Sequence, residues 1–281
     1  MQYLKVLGTV QDGGYPHPGC FKECCNRAWK SSKKNRFVSS VAIIDDTSKK
    51  YWLLDISPDI KEQIYMIGEE YALEGIFLTH AHYGHYLGLF QLGLEVMNLK
   101  NISVYAMPLM NNFLINNPSI NFLIQSNNIV IKEIAESHKI NLNKNISVMP
   151  FSVPHRNELS ETVAYKIFSD KKSFVYLPDI DSWIEWNYNI LDLIKENNIL
   201  FLDGTFYDKK EITLRSVKKI PHPSIKESIS LFDTLDIKER KKVYFTHLNH
   251  TNIILNKKSL EYSDLLKLGY NVAREDENFN F

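Results

Sequence analysis

Three histidines stand at positions 80, 82 and 85 in the segment Thr79-His-Ala-His-Tyr-Gly-His-Tyr-Leu-Gly-Leu89. Histidines at i, i+2 and i+5, leaving a β-strand and entering a helix, can converge on one point. Residues i and i+2 of an extended segment project to the same side, and a histidine in the first helical turn folds back towards them. Neutral imidazole is the commonest transition-metal ligand, so this spacing points to metal binding. Further imidazoles and carboxylates follow other β-rich runs. Asp55 follows Tyr51–Leu54, His155 follows Ser147–Pro154, Asp179 follows Ser173–Pro178, Asp203 follows Ile199–Leu202, and His247 follows Val243–Thr246. One acid after a strand is ordinarily a turn former or helix cap. His80 and these five in the same kind of position are what a site along one edge of a sheet requires.

A second group of metal-capable residues lies near the N-terminus. Cys20, Cys24 and Cys25 are the chain's only cysteines and fall within six residues. An odd number in one cluster is not a disulfide framework; in a reducing compartment it means metal or a reactive thiol.

The elements that must position these residues read as short β-branched or aromatic runs with helices between them. Ser57-Pro58 opens one helix. A second is expected from His85 to Met97, and a third from Ser224, whose Glu227 completes a capping-box pattern, to Leu235. A fourth spans Ser259 to Leu268. Adjacent strand pairs mixed with crossovers predict a layered α/β protein. At 281 residues, with 44% hydrophobic and 12% aromatic side chains, the chain can bury a sizeable core, and disorder is excluded. No repeat or low-complexity linker divides it, so one domain, 1–281, is expected. Basic and acidic residues balance at 33 each, which removes a general drive towards nucleic acid or acidic membranes. No apolar run approaches the roughly 18 residues of a membrane span. The N-terminus lacks the pattern of a signal peptide, so a cytoplasmic location is expected.

The histidine segment resembles the metal-binding signature of the metallo-β-lactamase superfamily, His-x-His-x-Asp-His before a small-residue helix start. Within that superfamily the chain is most similar to the pyrroloquinoline quinone (PQQ) biosynthesis protein B (PqqB) family and, more distantly, to PhnP-type phosphodiesterases. The likeness extends through Val6-Leu-Gly-Thr9, Gly13-Gly-Tyr-Pro16, the cysteine cluster, Arg36-Phe-Val-Ser-Ser40 and Asp55-Ile-Ser-Pro-Asp-Ile60. It continues through Thr79–Leu89, Asp203-Gly-Thr-Phe206 and Thr246-His-Leu-Asn-His-Thr-Asn252. It implies an αββα sandwich with a metal site at one edge of two sheets. It also implies that His80, His82 and His155 bind a first metal, that Asp179 bridges to a second, and that His85 and His247 complete the second position. Zn, Mn or Fe suits such ligands. Asp55 would orient an imidazole; Asp203 would do the same or cap its loop.

One position departs from the superfamily pattern: Gly84 stands where the hydrolases place an aspartate. The expectation is therefore one tight and one weak or empty catalytic metal position. For the cysteines, the PhnP-type pattern implies a structural zinc held by Cys20, Cys24, Cys25 and His250, three residues beyond His247. A site using two of the cysteines, a redox-active thiol and plain structural cysteines are the alternatives. His222, between Pro221 and Pro223, matches a non-ligand histidine that donates a proton or binds phosphate in the phosphodiesterases; a simple loop residue is its other reading. His17 is a candidate pocket residue and His138 a surface one. Tyr83, Tyr86, Trp183 and Trp186 line a pocket or pack. The leading expectation is a metal-dependent hydrolase of a small anionic phosphodiester or related ester. An iron-dependent hydroxylase in PQQ biosynthesis is the alternative, and a non-catalytic small-molecule carrier the third.

Overall fold

The computed structural model describes residues 1–211 and 221–281. Fourteen strands among the described residues form two seven-stranded sheets. The first runs in the order β14-β1-β2-β3-β4-β5-β6. Its strands are β1 (Gln2–Gly8), β2 (Ser40–Asp45), β3 (Lys50–Leu54), β4 (Ala72–Phe77), β5 (Ile102–Ala106), β6 (Ile129–Glu133) and β14 (Asn278–Asn280). The second runs β13-β12-β11-β10-β9-β8-β7. It comprises β7 (Ile140–Asn141), β8 (Ser147–Ser152), β9 (Val163–Phe168), β10 (Ser173–Leu177), β11 (Ile199–Asp203), β12 (Val243–Thr246) and β13 (Asn271–Val272). Each sheet is antiparallel up to one strand, β3 or β10, and parallel beyond it.

The period-2 alternation of each strand sorts its side chains into two different cores. Ile43, Trp52, Leu54 and Phe77 of the first sheet meet Val148, Tyr165, Phe174, Tyr176 and Phe201 of the second in the space between the sheets. Their neighbours Ala42, Ile44, Leu53 and Ile76 turn outward to helical residues such as Ile60, Met110, Leu114 and Ile120. Val175, Leu177, Leu200 and Phe245 turn outward on the other side, against Ile190, Ile194, Ile225 and Phe232. Strands buried on both faces read as nearly continuous apolar runs. The result is four layers, helices over sheet over sheet over helices, as expected for an αββα sandwich.

The helix from Ser224 begins with the full reciprocal capping box and spans Ile225–Phe232, and Ser259 caps Leu260–Lys267. The helix expected over His85–Met97 is not continuous. A four-residue turn, Tyr83–Tyr86, passes into a 3-10 segment, Leu87–Leu92. Gly88 explains the break: a Cβ there would lie 2.4 Å from the Ser57 carbonyl oxygen, so the segment is pressed on the chain after β3. The tighter 3-10 winding stacks residues three apart, and Leu89 and Leu92 are both fully buried. Helix α1 (Glu23–Trp29), which carries Cys24 and Cys25, has no counterpart among the helices expected from sequence. Among the described residues no helix is long and apolar enough to cross a membrane.

Candidate metal centre

The parallel strands deliver their C-terminal ends to one edge of the sandwich. There Asp55 follows β3, Thr79 to His82 follow β4, Asp179 follows β10, Asp203 ends β11 and His247 follows β12. Strand β8 runs in the same direction as β10 and brings His155 to the same edge. Asp55 and His247 turn out of their strands with φ of 60° and 57°, a left-handed conformation uncommon for non-glycine residues and typical of functional sites.

The imidazoles converge as the i, i+2, i+5 spacing requires. His82 Nδ1 lies 2.8 Å from His80 Nε2 and 3.3 Å from His155 Nε2; a tetrahedral zinc spaces nitrogen ligands about 3.3 Å apart. Asp179 separates this trio from a second pair. Its Oδ1 is 3.8 Å from His155 Nε2, while its Oδ2 is 3.2 Å from His85 Nε2 and 3.4 Å from His247 Nε2. His85 Nε2, His247 Nε2 and Asp179 Oδ2 are all buried and lack a hydrogen-bond partner. Such groups cost about 1–3 kcal/mol each when left unsatisfied. Three of them gathered at one point are explained by a cation, so the donor set fits a metal.

The opposite ring nitrogens are tied down. His85 Nδ1 donates to Asp55 Oδ2 at 2.7 Å and His155 Nδ1 to Asp181 Oδ1 at 2.7 Å. His222 Nδ1 donates to Asp203 Oδ2 at 2.7 Å, and His247 Nδ1 meets the Thr205 hydroxyl at 3.0 Å. The Thr79 hydroxyl donates to Asp55 and takes His80 Nδ1 at 3.0 Å. Each partner fixes a tautomer with Nε2 facing the centre. Asp55 is wholly buried and also accepts from the Thr79 amide and the Tyr176 hydroxyl, so its valences are used in orienting. Asp203 accepts from the amides of Ile180 and Thr205 as well as from His222: it both orients an imidazole and caps its loop.

Burial drives the pKa values of His80 and His82 down, that of His82 to about 4, with neighbouring imidazoles adding to the effect; burial also lowers His247. At His85 and His222 burial acts in the same direction, but the carboxylates of Asp55 and Asp203 outweigh it and raise both. Burial alone would raise Asp179; His247 and His85 reverse this and hold it ionised, well below the usual range.

About the second cluster, Cys20 Sγ lies 3.5 Å from Cys24 Sγ, and His250 Nδ1 lies 3.8 Å from Cys24 Sγ and 3.4 Å from Cys25 Sγ. A tetrahedral zinc with Zn–S of about 2.3 Å and Zn–N of about 2.0–2.1 Å spaces its ligands roughly 3.5–3.8 Å apart. The first turn of α1 provides the tight geometry that adjacent Cys24 and Cys25 need, and the His17 amide donates to Cys25 Sγ at 3.4 Å. Burial pushes the Cys25 thiol up to about 12, whereas at Cys20 burial is outweighed by hydrogen bonds from the Lys22 backbone and the neighbouring thiols, which lower it. His17 stacks on His250, away from the strand-edge centre, and His138 is exposed.

Sequence reasoning missed Asp12, which clusters with His85 and His247, and Asp181, the partner of His155. Both sit in loops without a periodic signal; Gln11-Asp12-Gly13-Gly14 reads simply as a turn. Beside His222 and Asp181 opens a cleft of about 440 Å³ walled by Trp183, Ile184, Lys209 and Leu231. Trp186 and Tyr86 are packing residues, and Tyr83 is exposed.

A family model described as "Beta-lactamase superfamily domain" matches residues 51–248. The Coenzyme PQQ synthesis protein B of Xanthomonas axonopodis pv. citri is 24% identical, over 96% of this chain and 97% of that protein. That of Acinetobacter baylyi is 26% identical, over 96% and 97%. Among solved structures, Zn(2+)-bound PqqB from Methylobacterium extorquens superposes with a TM-score of 0.82 at 21% identity, covering 100% of both chains. A diphosphatase from the PhnP family gives 0.72 at 23% identity, covering 100% of this chain and 97% of the other.

Proposed function

The chain belongs to the β-lactamase superfamily, and on that premise we propose that it is a metal-dependent hydrolase acting on a small anionic phosphodiester or related ester. The observation that carries this reading is the set of buried, unpartnered atoms on His85, His247 and Asp179 beside the convergent His80, His82 and His155. His80, His82 and His155 would hold one ion, His85 and His247 a second, and Asp179 would face both. Bound there, a divalent cation polarises a substrate oxygen and lowers the pKa of water. Zn, Mn and Fe are the metals this donor chemistry suits.

The protein's own groups supply the rest. Asp179, held ionised, orients the attacking oxygen. His222, with Nδ1 anchored on Asp203 and its pKa raised, carries a proton on Nε2 for the leaving group. Trp183 borders the cleft that takes the remainder of the substrate; Lys209, on the same wall, is paired with Glu227. A structural zinc on Cys20, Cys24, Cys25 and His250 holds the N-terminal loop against the end of β12.

The near full-length likeness to proteins named Coenzyme PQQ synthesis protein B favours a second reading, an iron-dependent hydroxylase of PQQ biosynthesis. Hydrolysis of bis(p-nitrophenyl) phosphate by the Mn-loaded protein separates the two. Turnover is expected, and His82→Ala should lower it at least about 100-fold, the scale of losing one transition-state contact. No turnover with Mn, Zn or Fe, together with oxygen uptake by the iron form, would sink the hydrolase reading.

A further inference from the structure

Gly84 stands where the superfamily pattern has a carboxylate, and the structure shows why that position must be glycine here. A Cβ on residue 84 would lie 2.3 Å from Asp12 Oδ1 and 2.9 Å from Asp12 Cα. The space a side chain at 84 would need is filled by a carboxylate from another part of the chain. Asp12 Oδ1 accepts the Gly84 amide at 3.1 Å and lies 3.6 Å from His85 Nε2. It falls within one cluster with the facing nitrogens of His85 and His247.

We propose that Asp12 is the anionic ligand of the second metal position, supplied by the N-terminal loop in place of residue 84. This rests on the metal-centre reading above. His85 Nε2 and His247 Nε2 are unpartnered although their residues are 0% and 1% exposed, so a donor set of two imidazoles, Asp179 and Asp12 closes around them. Charge argues the same way. Asp55, Asp181 and Asp203 are engaged behind the imidazoles, which leaves Asp179 to face two divalent ions directly, and an uncompensated buried charge is costly. Asp12 adds a second negative charge beside the position that otherwise has only the shared carboxylate of Asp179.

The loop is built to hold this carboxylate in place. Val10 bridges both Val38 and Leu248, the residue after His247. The Gln11 amide donates to the Leu248 carbonyl at 3.1 Å, and the Leu248 amide donates to the Thr9 carbonyl at 2.9 Å. Gly14, at φ 68°, allows the turn that returns the chain through the Gly14 amide to the Gln11 carbonyl, 2.8 Å. Asp12 and His247 are therefore carried by backbones bonded to each other. Gly84 taken alone predicts a weak or empty second position; Asp12 adds to it a carboxylate besides Asp179.

The test is metal content and affinity in the full-length protein, stripped with chelator and reloaded with Mn²⁺, read by elemental analysis and electron paramagnetic resonance. Wild type should bind two Mn²⁺ in addition to the thiolate zinc and show an exchange-coupled spectrum. Asp12→Asn keeps an oxygen for the Gly84 amide and the apo melting temperature. It should bind one Mn²⁺ with a six-line mononuclear spectrum, the second ion weakened at least 10- to 100-fold, the loss that even indirect changes around a metal cause. Two tightly bound, coupled ions in Asp12→Asn would overturn the proposal while leaving the metal centre intact. One tight ion in wild type would also overturn it. No catalytic ion in wild type would instead overturn the centre on which it rests. Should Asp12→Ala fail to fold, Asp12→Asn remains decisive, because it retains the hydrogen bond.

Discussion

The strand-edge cluster and the cysteine cluster are joined by the four residues His247 to His250, yet they are built on opposite plans. The cysteine cluster gathers three sulfurs and one imidazole within 3.8 Å contacts, enough to fill a tetrahedron and leave no position for a substrate. The strand-edge cluster gathers imidazoles and carboxylates, each imidazole but His82 backed by an oxygen at Nδ1, and it opens beside a cleft. Closed sets of soft ligands stabilise a fold, whereas open sets of harder ligands leave room for reacting oxygens. On the proposed reading the difference divides the work: one cluster would tie a loop and the other would carry the chemistry.

That contrast breaks first at His222. If the strand-edge side is the chemical one, His222→Asn should lower turnover of bis(p-nitrophenyl) phosphate about 100-fold or more and leave the count of bound metals unchanged. A proton donor acts only while protonated, so the wild-type rate should fall as pH rises through the raised pKa of His222. The variant should lose that limb. An unchanged pH profile would return His222 to a loop residue.

Cys24→Ser should show the reverse pattern. One zinc is lost and the melting temperature falls by about 5–10 °C, a few kcal/mol for a domain of this size, while turnover per loaded catalytic centre stays within a few-fold. An unchanged zinc count would remove Cys24 from the site. A collapse in turnover larger than that of His222→Asn would show the two clusters to be one unit, coupled through the loop that carries both Asp12 and Cys20.

The smallest effect concerns acid. Burial depresses both His82, in one cluster, and His250, in the other, to about 4; nearby positive imidazoles add to this in each. These rings are neutral in the folded, metal-free protein and take up protons on unfolding between about pH 4 and the ordinary 6.5. Their contribution is therefore present above 6.5 and lost as pH falls through that window. His85 and His222, whose values are raised, act in the opposite sense: their contribution is present below 6.5 and is lost as pH rises through their folded values. In the metal-free protein, His82→Asn and His250→Asn should each flatten the fall in melting temperature between pH 6.5 and 4. The two changes should add, since the rings share no partner. Strong non-additivity would mean that the clusters communicate even without metal.

Much of the site is legible in the chain's residue types and their spacing. His80, His82 and His85 announce themselves by falling within six residues, and Asp55, His155, Asp179, Asp203 and His247 by following apolar strands. The strands are readable because a strand buried on both faces must be apolar throughout, and the capped helix at Ser224 because its capping box is local. The His85–Met97 segment misleads for the opposite reason. Its leucines suit a helix, but contact of Gly88 with the chain after β3 imposes the 3-10 path, and that contact leaves no mark in a window of sequence.

By itself the sequence determined which residues have metal chemistry and which strands end in them, since residue type and alternation act over a few positions. Only the tertiary structure decided which imidazole nitrogens face one another, which partners set their tautomers, and that Asp12 fills the space above Gly84. Asp12 and Gly84 are 72 residues apart, and Asp55 and Tyr176 are 121 apart. Such pairs form only when two sheets pack and loops close over their common edge, because that packing, rather than any local preference, sets where a distant carboxylate comes to rest.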